Sequence, residues 1–211
     1  MNAVINTAHA TVNATLKAAL KAIGPRLRYL AFTAALPLLA PACAHNTAAS
    51  AKKDVAPVVA VAHATIMPLG QHHIEGELKL ASLADGGVSV SGEIRGLLPN
   101  SQHGLHVHAV GDCDSADGMT AGPHFNPDNR NHGAPGASAH VGDLGNIEAG
   151  ADGVAHINRV LPRATLDTSN LSLIGRSVIL HQDADDLSSQ PAGNSGPRIG
   201  CGIVILVDVG A

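Results

Sequence analysis

From residue 57 onward, apolar and polar side chains alternate with a period of two. That period puts successive side chains on opposite faces of a β-strand. Residues 59–66 predict a first strand, and residues 74–80 and 88–95 repeat the pattern. Between the second and third lies Asp85-Gly86-Gly87, residue types suited to a tight turn. Leu98-Pro99-Asn100 breaks the chain before a fourth strand, Gly104-Leu105-His106-Val107-His108. Residues 146–149, 154–160, 177–181 and 201–207 predict four more. Helix signals are absent outside the first 44 residues. Eight short strands separated by turn residues predict an all-β sandwich or barrel.

Two stretches do not alternate: residues 111–145 and 182–200, both rich in Gly, Pro, Asp and Asn. A structureless segment that long inside a compact domain is expected only where it has a function. The first carries His124, His132 and His140 at eight-residue intervals, with Asp143 three residues later. The second follows His181, the end of the seventh strand. His106 and His108 are two residues apart and share one face of the fourth strand. Imidazole and carboxylate donors at this density suit zinc or copper. Four imidazoles fit copper, and three imidazoles with one carboxylate fit a closed tetrahedral zinc site. Calcium and magnesium, which take oxygen donors, are disfavoured. The spacing predicts at least one transition metal and does not by itself give two. Such ligation would order the long loop. His156 lacks partner spacing, and His63, His72 and His73 read as surface side chains.

Composition narrows the core. The chain has 211 residues, 1% aromatics and no Trp, so one domain must be built on Val, Ile, Leu and Ala. Phe125 is the one aromatic candidate for that core. Residues 1–44 contain Lys17, Lys21, Arg26 and Arg28 but no acid. An apolar run over residues 29–40 and the small residues Ala40-Pro41-Ala42-Cys43-Ala44 follow, the three-part pattern of a secretory signal. The run is shorter than the roughly 20 residues a membrane span needs. Two processing routes fit: cleavage after Ala44, or lipidation of Cys43 in a loose lipoprotein box, which makes a lipid anchor. Residues 1–16 are a long leading region or an over-extended start. Residues 45–57 read as a flexible linker and 58–211 as the folded domain. Loss of the four leader cations moves the formal charge from −4 to −8, which argues against nucleic acid as a partner. Where Cys43 is cut off with the leader, Cys113 and Cys201 remain, an even pair that in an exported chain reads as a disulfide.

Five segments together carry a resemblance: Gly104-Leu105-His106-Val107-His108, Gly122-Pro123-His124-Phe125-Asn126-Pro127, His140-Val141-Gly142-Asp143-Leu144-Gly145-Asn146, His181-Gln182-Asp183-Ala184-Asp185-Asp186, and residues 193–202 around Arg198 and Cys201. Their identity and order resemble the copper/zinc superoxide dismutase family, in its exported bacterial form, over roughly residues 58–208. The resemblance implies an eight-stranded Greek-key β-barrel with two long functional loops, and one copper and one zinc ion per subunit. Copper would fall to His106, His108, His124 and His181, and zinc to His124, His132, His140 and Asp143. Asp185 would hydrogen-bond His106 and His132, and Cys113 would pair with Cys201. Arg198 would attract and orient superoxide, and His124 would carry a proton. The implied activity is superoxide disproportionation in the periplasm or cell envelope, by a monomer or a homodimer.

The chain departs from better-known members in two places. It has no Lys or Arg between His181 and Arg198, and Cys113 closely follows His108, which alters a subloop used for subunit contacts. Two other readings compete. One is a non-catalytic exported copper/zinc buffering or delivery protein. The other is a β-sandwich interaction domain, which would leave the histidines unexplained.

Overall fold

The computed structural model describes residues 60–207. The leader, Cys43 and the whole of the linker lie outside the described residues. Strands β1 (Val61–Pro68), β2 (Glu75–Ser82), β3 (Val88–Arg95) and β4 (Gln102–His108) come first. They are followed by β5 (Asp143–Glu148), β6 (Ala155–Leu161), β7 (Ser177–His181), β8 (Arg198–Ile203) and β9 (Ile205–Val207). The one helical turn among the described residues is a 3-10 segment, Met119–Ala121.

The alternation works as expected in β1, where Ala62, Ala64 and Ile66 are buried and the residues between them are wholly or partly exposed. Every pairing between strands is antiparallel, in the order β5-β4-β7-β8-β1-β2-β3-β6, with β9 also on β1. The two strands at the ends of that order, β5 and β6, are joined by the Ala149–Ala155 bridge, which nearly closes a barrel. In this Greek-key order β4 lies beside β7, and β3 lies beside β6.

The predicted eighth strand, 201–207, is divided. β8 starts at Arg198, inside the expected loop, and the pairing lapses at Val204, whose N–H donates to Arg176 O instead. Register against β1 is the same on both sides of the lapse: Met67 faces Cys201, and Val61 faces Val207. β8 and β9 are therefore one strand with an interruption, and the barrel has eight.

The core is aliphatic, with Phe125 its one aromatic member. The Arg176 guanidinium lies 4.3 Å from the centre of the Phe125 ring, a cation–π contact. Burial of branched aliphatics stabilises the barrel by roughly 1.5–3 kcal/mol per side chain. Cys113 and Cys201 form a disulfide with Cα atoms 5.8 Å apart, tying the first long loop to β8.

Candidate metal centre

β4 is the exception to alternation: from His103 to His108 every residue is buried. Leu105 and Val107 point into the core, whereas His106 and His108 point outward under the two long loops. The edge of β4 receives the first loop directly. His108 bridges His124, Ala109 N–H donates to Pro123 O, and Phe125 N–H donates to Val107 O. Gly142 closes the arrangement, giving its carbonyl to Val107 N–H and its own N–H to Phe125 O. A Cβ there would lie 2.4 Å from Val107 O, so only glycine permits the approach.

This backbone work places His124 between two sets of donors. His106, His108, His124 and His181 can each turn a nitrogen to a common point, and His124, His132 and His140 can turn a nitrogen, and Asp143 an oxygen, to a second. The rings of His106 and His124 are 4.0 Å apart between centroids, and Nε2 of His181 lies 3.4 Å from Nε2 of His108.

Hydrogen bonds decide which nitrogen of each ring is free. His106 Nε2 and His132 Nε2 donate to the two oxygens of Asp185, at 2.8 and 2.9 Å. His108 Nδ1 donates to Gly122 O at 2.8 Å, and His181 Nδ1 donates to Gly196 O at 3.1 Å. The lone pairs then lie on Nδ1 of His106 and His132 and on Nε2 of His108 and His181. His106 Nδ1 and His124 Nε2 are buried without a hydrogen-bond partner. So are His132 Nδ1 and His140 Nδ1, although each lies 3.1–3.2 Å from an Asp143 oxygen. They are near that carboxylate but off the hydrogen-bond line. Buried polar atoms are rarely left orphaned, and four aimed at two shared points fit metal ions. A third group, His106, His132 and Asp185, is already satisfied by its own hydrogen bonds and links the two sets.

The electrostatics favour ligation. Burial, reinforced by repulsion from His124, pushes His108 down to about 2. Burial and His106 push His181 to about 3. Burial takes His124 to about 4 even though its hydrogen bond to Asp143 works the other way. Neutral rings are the form that binds metal. Burial acts to raise Asp143, but the hydrogen bond from His124 and the close approach of the His140 and His132 rings outweigh it and hold the carboxyl well below its usual range. Asp185 is lowered in the same manner, with His106 and His132 outweighing burial.

A cavity of about 630 Å³ opens over the histidines, with His108, His124, His140, His181, Arg130 and Arg198 in its wall. Arg198 is half-buried. Its guanidinium donates to Gly118 O at 2.5 Å and to Gly122 O at 2.7 Å. The histidines read as surface groups lie apart from this centre. His63, His72 and His73 are exposed, and His156 sits 3.8 Å from Glu93.

Three residues of the centre were given no role by the sequence. Buried His103 faces His181 O through Nδ1 at 2.9 Å. Asn146 clamps the backbone of Asp185, accepting from its N–H at 2.7 Å and donating to its carbonyl at 2.8 Å. Gln190 makes the corresponding pair with the backbone of His132. Each acts on main-chain atoms of a residue far away in sequence, and such atoms have no residue-type signature.

The fold and site define an all-β protein with two adjoining histidine-rich metal-type sets. Residues 74–204 match the copper/zinc superoxide dismutase family. Over 144 residues the chain is 42% identical to superoxide dismutase (Cu-Zn) 2 of Mesembryanthemum crystallinum, covering 65% of this chain and 90% of that protein. Over 128 residues it is 48% identical to an extracellular Cu-Zn superoxide dismutase of Brugia pahangi, covering 56% and 63%. Among solved structures it resembles the clock protein EA4, with TM-score 0.63, 35% identity, and 70% and 94% coverage. It also resembles a SOD-like protein from Bacillus subtilis, with TM-score 0.61, 33% identity, and 67% and 96% coverage. The chain belongs to the copper/zinc superoxide dismutase family.

Proposed function

We propose that this chain disproportionates superoxide: two superoxide anions and two protons give one dioxygen and one hydrogen peroxide. The observation that carries this reading is the set of four orphaned ring nitrogens converging on two points beneath a cavity that contains Arg198. Copper would be held by His106, His108, His124 and His181, and zinc by His124, His132, His140 and Asp143. When bound, copper supplies a one-electron redox couple and zinc a fixed positive charge.

The chain's own residues supply the rest. Arg198 is charged at every relevant pH, and two carbonyls fix its direction, so it binds and orients the anion. The second loop carries no Lys or Arg before it, so Arg198 and Arg130 are the cations in the cavity wall. His124 Nε2 has no protein partner and is placed to carry one of the two protons, with solvent supplying the other. Asp185 holds one ring of each set in its ligating tautomer.

We place the mature domain outside the cytoplasm, in the periplasm or cell envelope. The Cys113–Cys201 disulfide and the extracellular relative support this. Lipidation of Cys43 would tether it there. Sedimentation distinguishes a monomer from a homodimer.

The test is purified mature protein assayed for bound copper and zinc and for superoxide removal. One of each metal with rapid removal is expected. Two metals without removal would return the chain to a copper/zinc buffering or delivery role, and absence of tightly bound metal would sink both. Arg198→Ala should lower the rate and its salt sensitivity with both metals retained. An unchanged rate would take Arg198 out of the reaction.

A further inference from the structure

The first long loop reaches His132 without a sheet to support it. Among the described residues, no backbone–backbone hydrogen bond involves His132. Its ring is nonetheless tightly constrained, because Nε2 meets Asp185 at 2.9 Å while Nδ1 sits 3.1 Å from Asp143. A ring that must face one carboxylate with each nitrogen tolerates little movement of its own main chain.

That main chain is held by one side chain. His132 N–H donates to Gln190 Oε1 at 2.8 Å, and Gln190 Nε2 donates back to His132 O at 2.9 Å. The pair reproduces what a neighbouring strand would offer, one acceptor and one donor. Gln190 itself is exposed, so it adds nothing to the core. The second loop is pressed against the same place. At Gly193, with φ +67°, an added Cβ would lie 1.8 Å from Asp185 Oδ1 and 2.6 Å from His132 Nε2.

We propose that Gln190 is a positioning residue for the His124–His132–His140–Asp143 set: its carboxamide replaces a missing strand partner and sets the main chain of His132. This rests on the metal reading of that set. It makes the two loops interdependent, since the second loop supplies the support for a donor that lies on the first.

The experiment compares wild type with Gln190→Ala and Gln190→Glu. Cobalt(II) stands in for zinc, read by its visible absorption and by chelator competition, and copper is titrated separately. Gln190→Ala should weaken cobalt and zinc binding about tenfold to a hundredfold, the usual cost of removing a group that orients a ligand. Copper binding and the thermal midpoint of the metal-free chain should change little. Gln190→Glu keeps the acceptor for His132 N–H and loses the donor, so it should fall between wild type and Gln190→Ala. Unchanged cobalt affinity in Gln190→Ala would overturn the proposal. So would equal losses at both metals together with a lower thermal midpoint, which would mark a merely structural role. Failure of the wild-type chain to bind either metal would defeat the metal reading itself, a result distinct from both.

Discussion

At the scale of single residues, the centre is a set of neutral bases kept neutral by burial. In the metal-free chain His108, His181 and His124 sit near 2, 3 and 4, against 6.5 for an ordinary histidine. The folded values lie below the unfolded ones, so as pH falls the unfolded chain takes up protons first. The stability these residues confer is whole above about pH 6.5 and drains away as pH drops through 4 toward 2. Each unmatched proton costs about 1.4 kcal/mol per pH unit. The urea midpoint of the metal-free protein should fall steeply over that window, whereas the metal-loaded form should hold to lower pH. A flat profile for the metal-free form would contradict this account. The histidines and Asp143 that the structure gathers into two sets were legible in the sequence, because spacing and residue type mark them. His103, Asn146 and Gln190 were not, because each grips a carbonyl or N–H on a remote residue and leaves no pattern along the chain.

At the scale of elements, alternation located all eight strands, and the departures occurred where a strand is covered on both sides or cut short. β4 carries the site because one face is core and the other lies beneath the loops. Its inward residues anchor the outward histidines. Leu105→Ala should cost about 2–5 kcal/mol in urea unfolding, as for other fully buried leucines. Because Leu105 directly precedes His106, the metal affinity of the variant should fall as well. β8 began earlier than alternation suggested because its first residues, Arg198-Ile199-Gly200, follow a Gly- and Pro-rich stretch. The same three residues carry Arg198 from the loop into the sheet, where it pairs with His181.

For the whole molecule, alternation alone could not yield strand order, since a period of two says which face is buried but not which strand is adjacent. The Greek-key expectation came from the motif resemblance, and the pairing of β4 with β7 and of β3 with β6 agrees with it. The disulfide binds this topology at long range, closing 88 residues between Cys113 and Cys201. A loop of that length should contribute about 4–5 kcal/mol by the chain-entropy account. Cys113→Ser should lower the urea midpoint accordingly, and it should slacken the loop whose Gly118 and Gly122 carbonyls hold Arg198. An unchanged midpoint would show that the cross-link closes nothing that unfolding opens.

The constant register of β1 against β8 and β9 also fixes where the chain joins the barrel. Val61 pairs with Val207, so the described chain enters and leaves side by side. Pro68, at the other end of β1, pairs with Gly200, two residues from Arg198. Seven residues of strand separate these ends, about 23 Å. The segment that precedes Ala60 therefore joins the barrel at the end of β1 remote from Arg198, so residues added or removed there should leave the cavity mouth open to an anion arriving from solvent.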